Sequence, residues 1–260
     1  SEMILGTAGT AGTYYVVGAA MGASVNKNSN TLNVVVQPTK GSMENLNLAN
    51  TDEIQLGFSN SDGVYWAATG TGIFAKSGKL NIKAVMNLYR SQAQMVTLKK
   101  SGIKTYGDLK GKKVNLGPSG QTIVEVSKSV LRAYGIDPEK DITPFYLAVD
   151  EGLGKLKDGE IDASFFVAAA PTAGVVNIAS NTDILLVDID KAILDKVTSD
   201  FPFYGKGVIS AGTYKGQDQD VNVVEMVTEI FASSKASEAA VYEFVKQALE
   251  TQPQYVNAHV

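Results

Sequence analysis

The 260-residue sequence contains no cysteine, and its one histidine, His259, is the next-to-last residue. Cysteine nucleophiles, Cys/His zinc sites and His-Glu-x-x-His metal helices therefore cannot be built from it. A Ser-His-Asp triad would depend on a histidine at a chain end that we expect to be frayed. No apolar run approaches the roughly 18–20 residues that a membrane-spanning helix needs. We find no credible catalytic constellation, and no metal or cofactor is expected.

Arginine is scarce as well. Arg90 and Arg132 are the only two, among 23 basic and 27 acidic residues that give a net charge of −4. Nucleic-acid-binding proteins normally carry a dense basic face, so we expect no nucleic acid partner. Arg90 follows an apolar predicted strand, and its planar guanidinium can bind a carboxylate in bidentate fashion. An equally weighted alternative is a surface arginine that covers the strand end.

Short β-branched or apolar segments alternate with helical segments along the chain. Predicted strands cover residues 3–6, 31–37, 53–58, 80–88, 95–98, 113–116 and 184–187. Predicted helices cover residues 14–26, 43–49, 191–198, 221–233 and 238–251. Strands that alternate with helices predict an α/β fold with a largely parallel sheet.

Two short patterns occur twice in the same order. Leu5-Gly6-x-x-Gly9 is repeated at 116–120, and Glu53-Ile54-x-x-x-Phe58 is repeated at 160–165, with separations of 48 and 44 residues. This repetition predicts two α/β lobes of similar build. We assign residues 1–89 with 208–260 to lobe 1 and residues 90–207 to lobe 2. The chain then crosses near 89–92 and 205–208, and two crossings predict a hinge and a cleft.

Each Leu-Gly motif opens a glycine-rich loop that leads into a helix. Such a loop directs backbone N–H groups and the positive end of the helix dipole at an anion. The hydroxyls of Thr10 and Thr13 add donors to the first loop. A tight turn that needs glycine for its backbone conformation is the alternative. The spacing is not the dinucleotide fingerprint, and no Walker lysine follows.

Small polar residues also follow other predicted strands, at Ser42, at 59–61 and at 168–172. The loops at the carboxyl edge of a parallel sheet are where α/β proteins bind ligands. Taken singly, each of these serines is better explained as a helix cap or a turn residue.

Several longer segments then occur in the order seen in one family. They are Gly6-Thr-Ala-Gly-Thr-Ala-Gly-Thr-Tyr-Tyr15, Gly41-Ser-Met-Glu-Asn45, Ser101-Gly-Ile-Lys104, Asp108-Leu-Lys-Gly-Lys-Lys113, Leu156-Lys-Asp-Gly-Glu-Ile-Asp162, Ala169-Ala-Pro-Thr-Ala173 and Ala211-Gly-Thr-Tyr-Lys-Gly-Gln-Asp218. Through them, nearly the whole chain resembles the TAXI family of TRAP-transporter solute receptors, which are exported bacterial substrate-binding proteins.

The resemblance implies a two-lobed periplasmic-binding-protein fold of type II, with a hinge of two crossing strands. It implies that a small organic acid, a glutamate-like amino acid or a dicarboxylate, is captured in the cleft and delivered to TRAP membrane subunits without catalysis. The ligand-binding residues that it implies by position, with Arg90 added from the argument above, are Thr10, Thr13, Tyr14, Ser42, Ser59, Asn60, Ser61, Ser119, Gly120, Gln121, Thr122, Ala169 and Pro171. At 121–122 the family usually has Ser-Gly in place of Gln-Thr.

Two other functions stay open at this point, a small-acid-utilising enzyme and a ligand-sensing domain on the same architecture. Ser1-Glu2-Met3 lacks the basic segment of a signal peptide, which fits a cytosolic protein or a processed mature chain. The resemblance implies the processed, extracytoplasmic form. It also implies a C-terminal segment beyond Val260.

Overall fold

A computed structural model describes residues 1–10 and 13–252, and the chain divides into two units. Unit 1 consists of Ser1–Tyr89 together with the chain from Val227 on, and unit 2 is Arg90–Met226. In chain order the first elements are β1 (Glu2–Gly6), α1 (Thr13–Asn28), β2 (Asn33–Gln37), α2 (Ser42–Asn50), β3 (Leu56–Asn60), α3 (Ser61–Thr69) and β4 (Ile82–Leu98). The elements that follow are β5 (Lys113–Asn115), α4 (Thr122–Ala133), β6 (Thr143–Phe145), α5 (Val149–Asp158), β7 (Ala163–Ala168), α6 (Ala173–Asn181), β8 (Ile184–Leu186), α7 (Lys191–Asp200), β9 (Gly205–Ile209), β10 (Val221–Ser233) and α8 (Glu238–Glu250).

In the sheet of unit 1, β1 lies between β2 and β3 and pairs in parallel with both. The second half of β10 adds to β3 in the antiparallel direction. Leu5, Phe58 and Ile230 of these strands are fully buried and share one apolar cluster with Phe244 of α8. Burial of these side chains supplies the main stabilising contribution to unit 1.

The sheet of unit 2 repeats this arrangement around β5, which pairs in parallel with β6 and β7. The second half of β4 runs antiparallel to β7 and to β8. Its core contains Met95, Leu116, Val130 and Phe165. In each unit the chain order β-α-β-α-β places the first strand between the second and the third. The two Leu-Gly motifs at the ends of β1 and β5 are therefore equivalent positions, and the repeat predicted from the sequence is confirmed.

One element was predicted wrongly. Residues 221–233 were expected to form a helix, and they form strand β10 instead. The segment contains four valines, and most of its residues are buried. A strand whose two faces are both covered loses the alternation that would identify it, so periodicity alone does not separate it from a buried helix. The predicted strands at 80–88 and 95–98 are likewise one continuous strand, β4.

The second passage of the chain between the units differs from the expected position of 205–208. It lies at Met226 and Val227, within β10, while the first lies at Tyr89 and Arg90, within β4. Strand β9 pairs with the first half of β10 in an antiparallel hairpin, from Gly205 opposite Glu225 onward. Those hydrogen bonds keep residues 208–226 in unit 2. Among the helices of residues 1–10 and 13–252, none is long and apolar enough to cross a membrane.

Candidate functional site

Four polar side chains of unit 1 meet where helices α1 and α2 begin and strand β3 ends. The Tyr14 hydroxyl donates to Asn60 Oδ1 at 2.9 Å and lies 3.4 Å from Ser42 Oγ. Thr228 of β10 donates to the same Asn60 Oδ1 at 3.4 Å. Ser42, Asn60 and Thr228 are buried. The sequence analysis proposed Tyr14, Ser42 and Asn60 separately, and the fold brings them together.

The tyrosine hydroxyls of this cluster are neutral. Burial raises the pKa of Tyr14 far above its usual range, and the neighbouring Tyr89 contributes to the same effect. Burial also raises the pKa of Tyr89, and the nearby Thr228 hydroxyl offsets only part of this effect. The ring of Tyr14 packs on Phe58, with 5.3 Å between the ring centroids. A neutral hydroxyl donates as well as accepts, so the surface offers uncharged hydrogen-bonding groups to a ligand.

The other proposed residues of unit 1 are placed differently. Ser59 is fully buried and donates to the backbone oxygen of Asn60 at 3.0 Å. Ser61 Oγ accepts from the backbone N–H of Val227 at 3.3 Å. Thr10 is exposed, and Thr13 is the first residue of α1. Gly12 and Ala11 between them lie outside the described residues, so the first glycine-rich loop is described only in part.

Asn45 holds the strand ends of unit 1 in place. Its Nδ2 donates to the backbone oxygen of Thr7, which directly follows β1, at 2.7 Å. It also donates to the backbone oxygen of Phe58, which belongs to β3, at 2.9 Å. Glycine is required beside it, because a Cβ at Gly6 would lie 2.6 Å from Asn45 Oδ1. The first Leu-Gly motif thus serves close packing against an amide that joins β1, α2 and β3.

Asn115 holds the strand ends of unit 2 in the corresponding way. Its Oδ1 accepts from the backbone N–H groups of Leu147 at 2.9 Å and Gly117 at 3.2 Å. Its Nδ2 donates to Ser164 Oγ at 3.1 Å, and Asn115 is fully buried. The side chain therefore links the end of β5 to β7 and fixes the start of the loop at 117–122.

The loop at 117–122 presents the N-terminus of helix α4. Gly117 and Gly120 have φ values of 99° and 76°, which only glycine adopts without strain. Ser119 is exposed, and Gln121 is the N-cap residue of α4. Thr122 is 1% exposed, and its buried hydroxyl has no hydrogen-bond partner among residues 1–10 and 13–252. A buried hydroxyl without a partner carries a desolvation cost that a ligand oxygen would relieve.

Arg90 is paired within unit 2. Its Nη1 donates to Glu225 Oε1 at 2.7 Å. Gln92, two residues along β4, donates from Nε2 to Glu225 Oε2 at 3.1 Å and accepts from the backbone N–H of Ala170 at 3.0 Å. The expected carboxylate partner of Arg90 is thus supplied here by the chain itself.

The loop after β7 is held by the same face of β4. Gln94 Nε2 donates to the backbone oxygen of Ala168 and to Thr172 Oγ1, both at 3.1 Å. The Tyr214 hydroxyl donates to Gln94 Oε1 at 2.7 Å and accepts from the backbone N–H of Thr172 at 2.8 Å. The proposed residues Ala169 and Pro171 lie within this loop, so their backbone is positioned by Gln92, Gln94 and Tyr214.

Several of these residues, including Gln92, Gln94, Tyr214 and Glu225, were not predicted from the sequence. A signal was present for two of them, because Arg90, Gln92 and Gln94 follow the period of two that places side chains on one face of a strand. In residues 1–10 and 13–252 no group of three or more His, Asp or Glu side chains could hold a metal ion. His259, the residue on which a catalytic triad would depend, lies outside the described residues.

Comparison with known proteins identifies the fold of the chain. A model of the NMT1-like family matches residues 5–260. The periplasmic aliphatic sulphonate binding protein SsuA from Escherichia coli is 15% identical, with a TM-score of 0.59 over 99% of this chain and 76% of that one. The GluR0 ligand-binding core from Nostoc punctiforme, in complex with L-glutamate, is 12% identical, with a TM-score of 0.58 over 99% and 97%.

A third similar structure is GshT, which acts in glutathione import in Streptococcus mutans. It is 14% identical, with a TM-score of 0.58 over 97% of this chain and 90% of that one. These similarities confirm the predicted fold class, an α/β periplasmic-binding-protein fold of type II.

Proposed function

Because the chain belongs to the NMT1-like family, we propose that it is an extracytoplasmic solute-binding protein for a small organic acid. It captures the acid without chemical conversion and delivers it to a membrane transporter. Solved proteins of the same fold support this: one is named an aliphatic sulphonate binding protein, one is a ligand-binding core in complex with L-glutamate, and the name of a third describes glutathione import. The sulphonate, L-glutamate and glutathione of these names are small molecules with an acidic group.

The observation that carries the proposal is the unpartnered hydroxyl of Thr122. It lies in the first turn of α4, a helix of 12 residues whose preceding loop contains two glycines with positive φ. Helix N-termini attract anions through their free N–H groups and the helix dipole. An acid oxygen bound there accepts from the Thr122 hydroxyl and the nearby backbone, and so needs no lysine or arginine at that point.

Unit 1 contributes a second set of groups of a different kind. The hydroxyls of Tyr14, Ser42 and Thr228 converge with the amide of Asn60. These groups recognise polar atoms without adding charge, which suits the orientation of a small ligand. That one ligand contacts residues of both units stays a prediction.

The ligand class that we propose is a glutamate-like amino acid or a dicarboxylate, and the transporter is of the TRAP type. Both follow from the TAXI resemblance of the sequence. Similar structures include binding proteins of ABC importers. Capture of the chain by purified TRAP membrane subunits, with ABC membrane subunits as the comparison, tests the transporter type.

A thermal-shift screen against amino acids, dicarboxylates and sulphonates tests the binding function. A ligand at about 100 times its Kd stabilises the folded state by about 2.7 kcal/mol. For a chain of this size that corresponds to a rise in Tm of about 5–10 °C. No shift with any small acid would argue against a solute-binding protein.

The variant Thr122→Val tests the anion site, because it replaces the hydroxyl by a methyl group of similar size. We expect about 10-fold or greater loss of affinity for the acid found in the screen, since a hydrogen bond to a charged group contributes about 1.5–3 kcal/mol. Thr198→Val is the matched control, because the Thr198 hydroxyl bonds only within α7, to the backbone oxygens of Leu194 and Asp195. An affinity unchanged in both variants would remove the α4 N-terminus from the site.

A further inference from the structure

The pairing of Arg90 with Glu225 leaves the two side chains in different surroundings. The Arg90 side chain is 69% exposed and that of Glu225 is 11% exposed, with 2.7 Å between Nη1 and Oε1. An exposed, flexible arginine can be drawn toward a ligand, whereas a buried carboxylate stays in place.

Glu225 is fixed by its neighbours. Its second oxygen, Oε2, accepts from Gln92 Nε2 at 3.1 Å, so both oxygens of the carboxylate have donors. Strand β9 leaves room for it, because a Cβ at Gly207 would lie 2.9 Å from Glu225 Cβ and 3.0 Å from Oε2. Gln92 in turn accepts from the backbone of Ala170. The position of the carboxylate is therefore tied to the loop after β7.

This arrangement has a consequence for the charge of the ligand. If an acid group of the ligand binds Arg90, the Glu225 carboxylate loses its cationic partner while it remains mostly buried. An unpaired buried charge is strongly unfavourable, and a second carboxylate nearby adds like-charge repulsion. A ligand that also carries an ammonium group restores the balance, because its carboxylate pairs with Arg90 and its ammonium pairs with Glu225.

Resting on the proposed function, we propose that Glu225 is the specificity-determining residue that selects amino acids over dicarboxylates. Selection works against the wrong ligand, since the dicarboxylate meets a carboxylate that it cannot neutralise. Gln92 is a positioning residue, which holds Glu225 in the place where the ammonium group arrives.

Calorimetric titration with matched pairs of ligands tests the inference. The pairs are L-glutamate and glutarate, L-aspartate and succinate, and L-alanine and propionate, which differ only in the α-ammonium group. We expect the parent protein to bind the amino acid of at least one pair about 10-fold or more tightly than its partner. In Glu225→Gln that preference falls by about 10-fold or more.

Two further variants separate selection from general damage. Glu225→Asp keeps the charge, and we expect it to retain most of the preference for the amino acid. Glu160→Gln is the control, because it removes the carboxylate of another ion pair of unit 2, the exposed contact with Lys155. We expect parent-like affinities for that variant. If Glu225→Gln does not fold, as judged by circular dichroism, the Glu225→Asp titration and the parent preference decide the matter.

Four results would overturn the inference. A preference that stays within about twofold of the parent in Glu225→Gln would show that Glu225 does not select the ligand. Loss of preference in Glu225→Asp equal to that in Glu225→Gln would show that the carboxylate charge is not what matters. A parent protein that binds dicarboxylates and not amino acids would overturn it while the proposed function stands, whereas binding of none of the six compounds or of the wider screen would overturn both.

Discussion

Replacement of Asn115 by alanine is the most informative perturbation of the framework that positions the proposed anion site. The Asn115 side chain is fully buried and joins three segments, through the backbone N–H groups of Leu147 and Gly117 and through Ser164 Oγ. In Asn115→Ala the backbone N–H groups of Leu147 and Gly117 lose the side-chain oxygen that accepts from them. Each buried unsatisfied group costs about 1–3 kcal/mol. We therefore expect the free energy of unfolding to fall by about 3–5 kcal/mol.

The measurement is urea denaturation followed by far-UV circular dichroism. Asn181→Ala is the control, because Asn181 is exposed at the end of α6 and donates to Ser180 Oγ alone among the contacts described. We expect a change within about 0.5 kcal/mol for the control. A loss below about 1 kcal/mol in Asn115→Ala would show that this side chain does not hold the end of β5, and the account of the 117–122 loop would have to be abandoned.

Two other changes in unit 2 have opposite expected signs. Tyr106 is buried with no partner for its hydroxyl, so Tyr106→Phe should raise the free energy of unfolding by about 1 kcal/mol at pH 7 by urea denaturation. Burial raises the pKa of Tyr106 above its ordinary value of 10.0, so the phenol ionises more readily in the unfolded chain than in the folded protein. The free energy of unfolding is therefore independent of this group below about pH 10 and falls as the pH rises further. Tyr106→Phe should weaken this alkaline fall in stability, and an unchanged pH profile would show that Tyr106 does not cause it. Gly152→Ala should lower the free energy of unfolding by about 1–3 kcal/mol, because the added methyl group collides with Asn115 Nδ2 and lies 2.7 Å from Ser164 Oγ; parent-like stability would mean that α5 moves away freely.

Much of the fold could be predicted from local sequence signals. The repeated Leu-Gly and Glu-Ile motifs identified two α/β units of similar build. Glycine is required at both Leu-Gly positions, because a Cβ would collide with Asn45 at Gly6 and with Ile123 at Gly117. Strand β10 could not be identified in the same way. It is covered on both faces, and its apolar content fits a buried helix as well as a central strand.

The candidate site was predictable only in its local part. Tyr14, Ser42 and Asn60 follow strand ends, and a parallel sheet brings such positions to one edge. The partner of Arg90 could not be foreseen, because Glu225 lies 135 residues away along the chain. Only the antiparallel placement of β10 brings it there, and β10 was the element that sequence analysis assigned wrongly.

The central claim is that the chain binds a small organic acid and does not change it. Its most direct test is calorimetric titration of the parent protein with L-glutamate and the other acids of the screen, followed by mass spectrometry of the recovered ligand. The account predicts saturable binding of at least one acid at a single site, with the ligand recovered unaltered. Absence of binding to every acid, or recovery of a converted product, would contradict it.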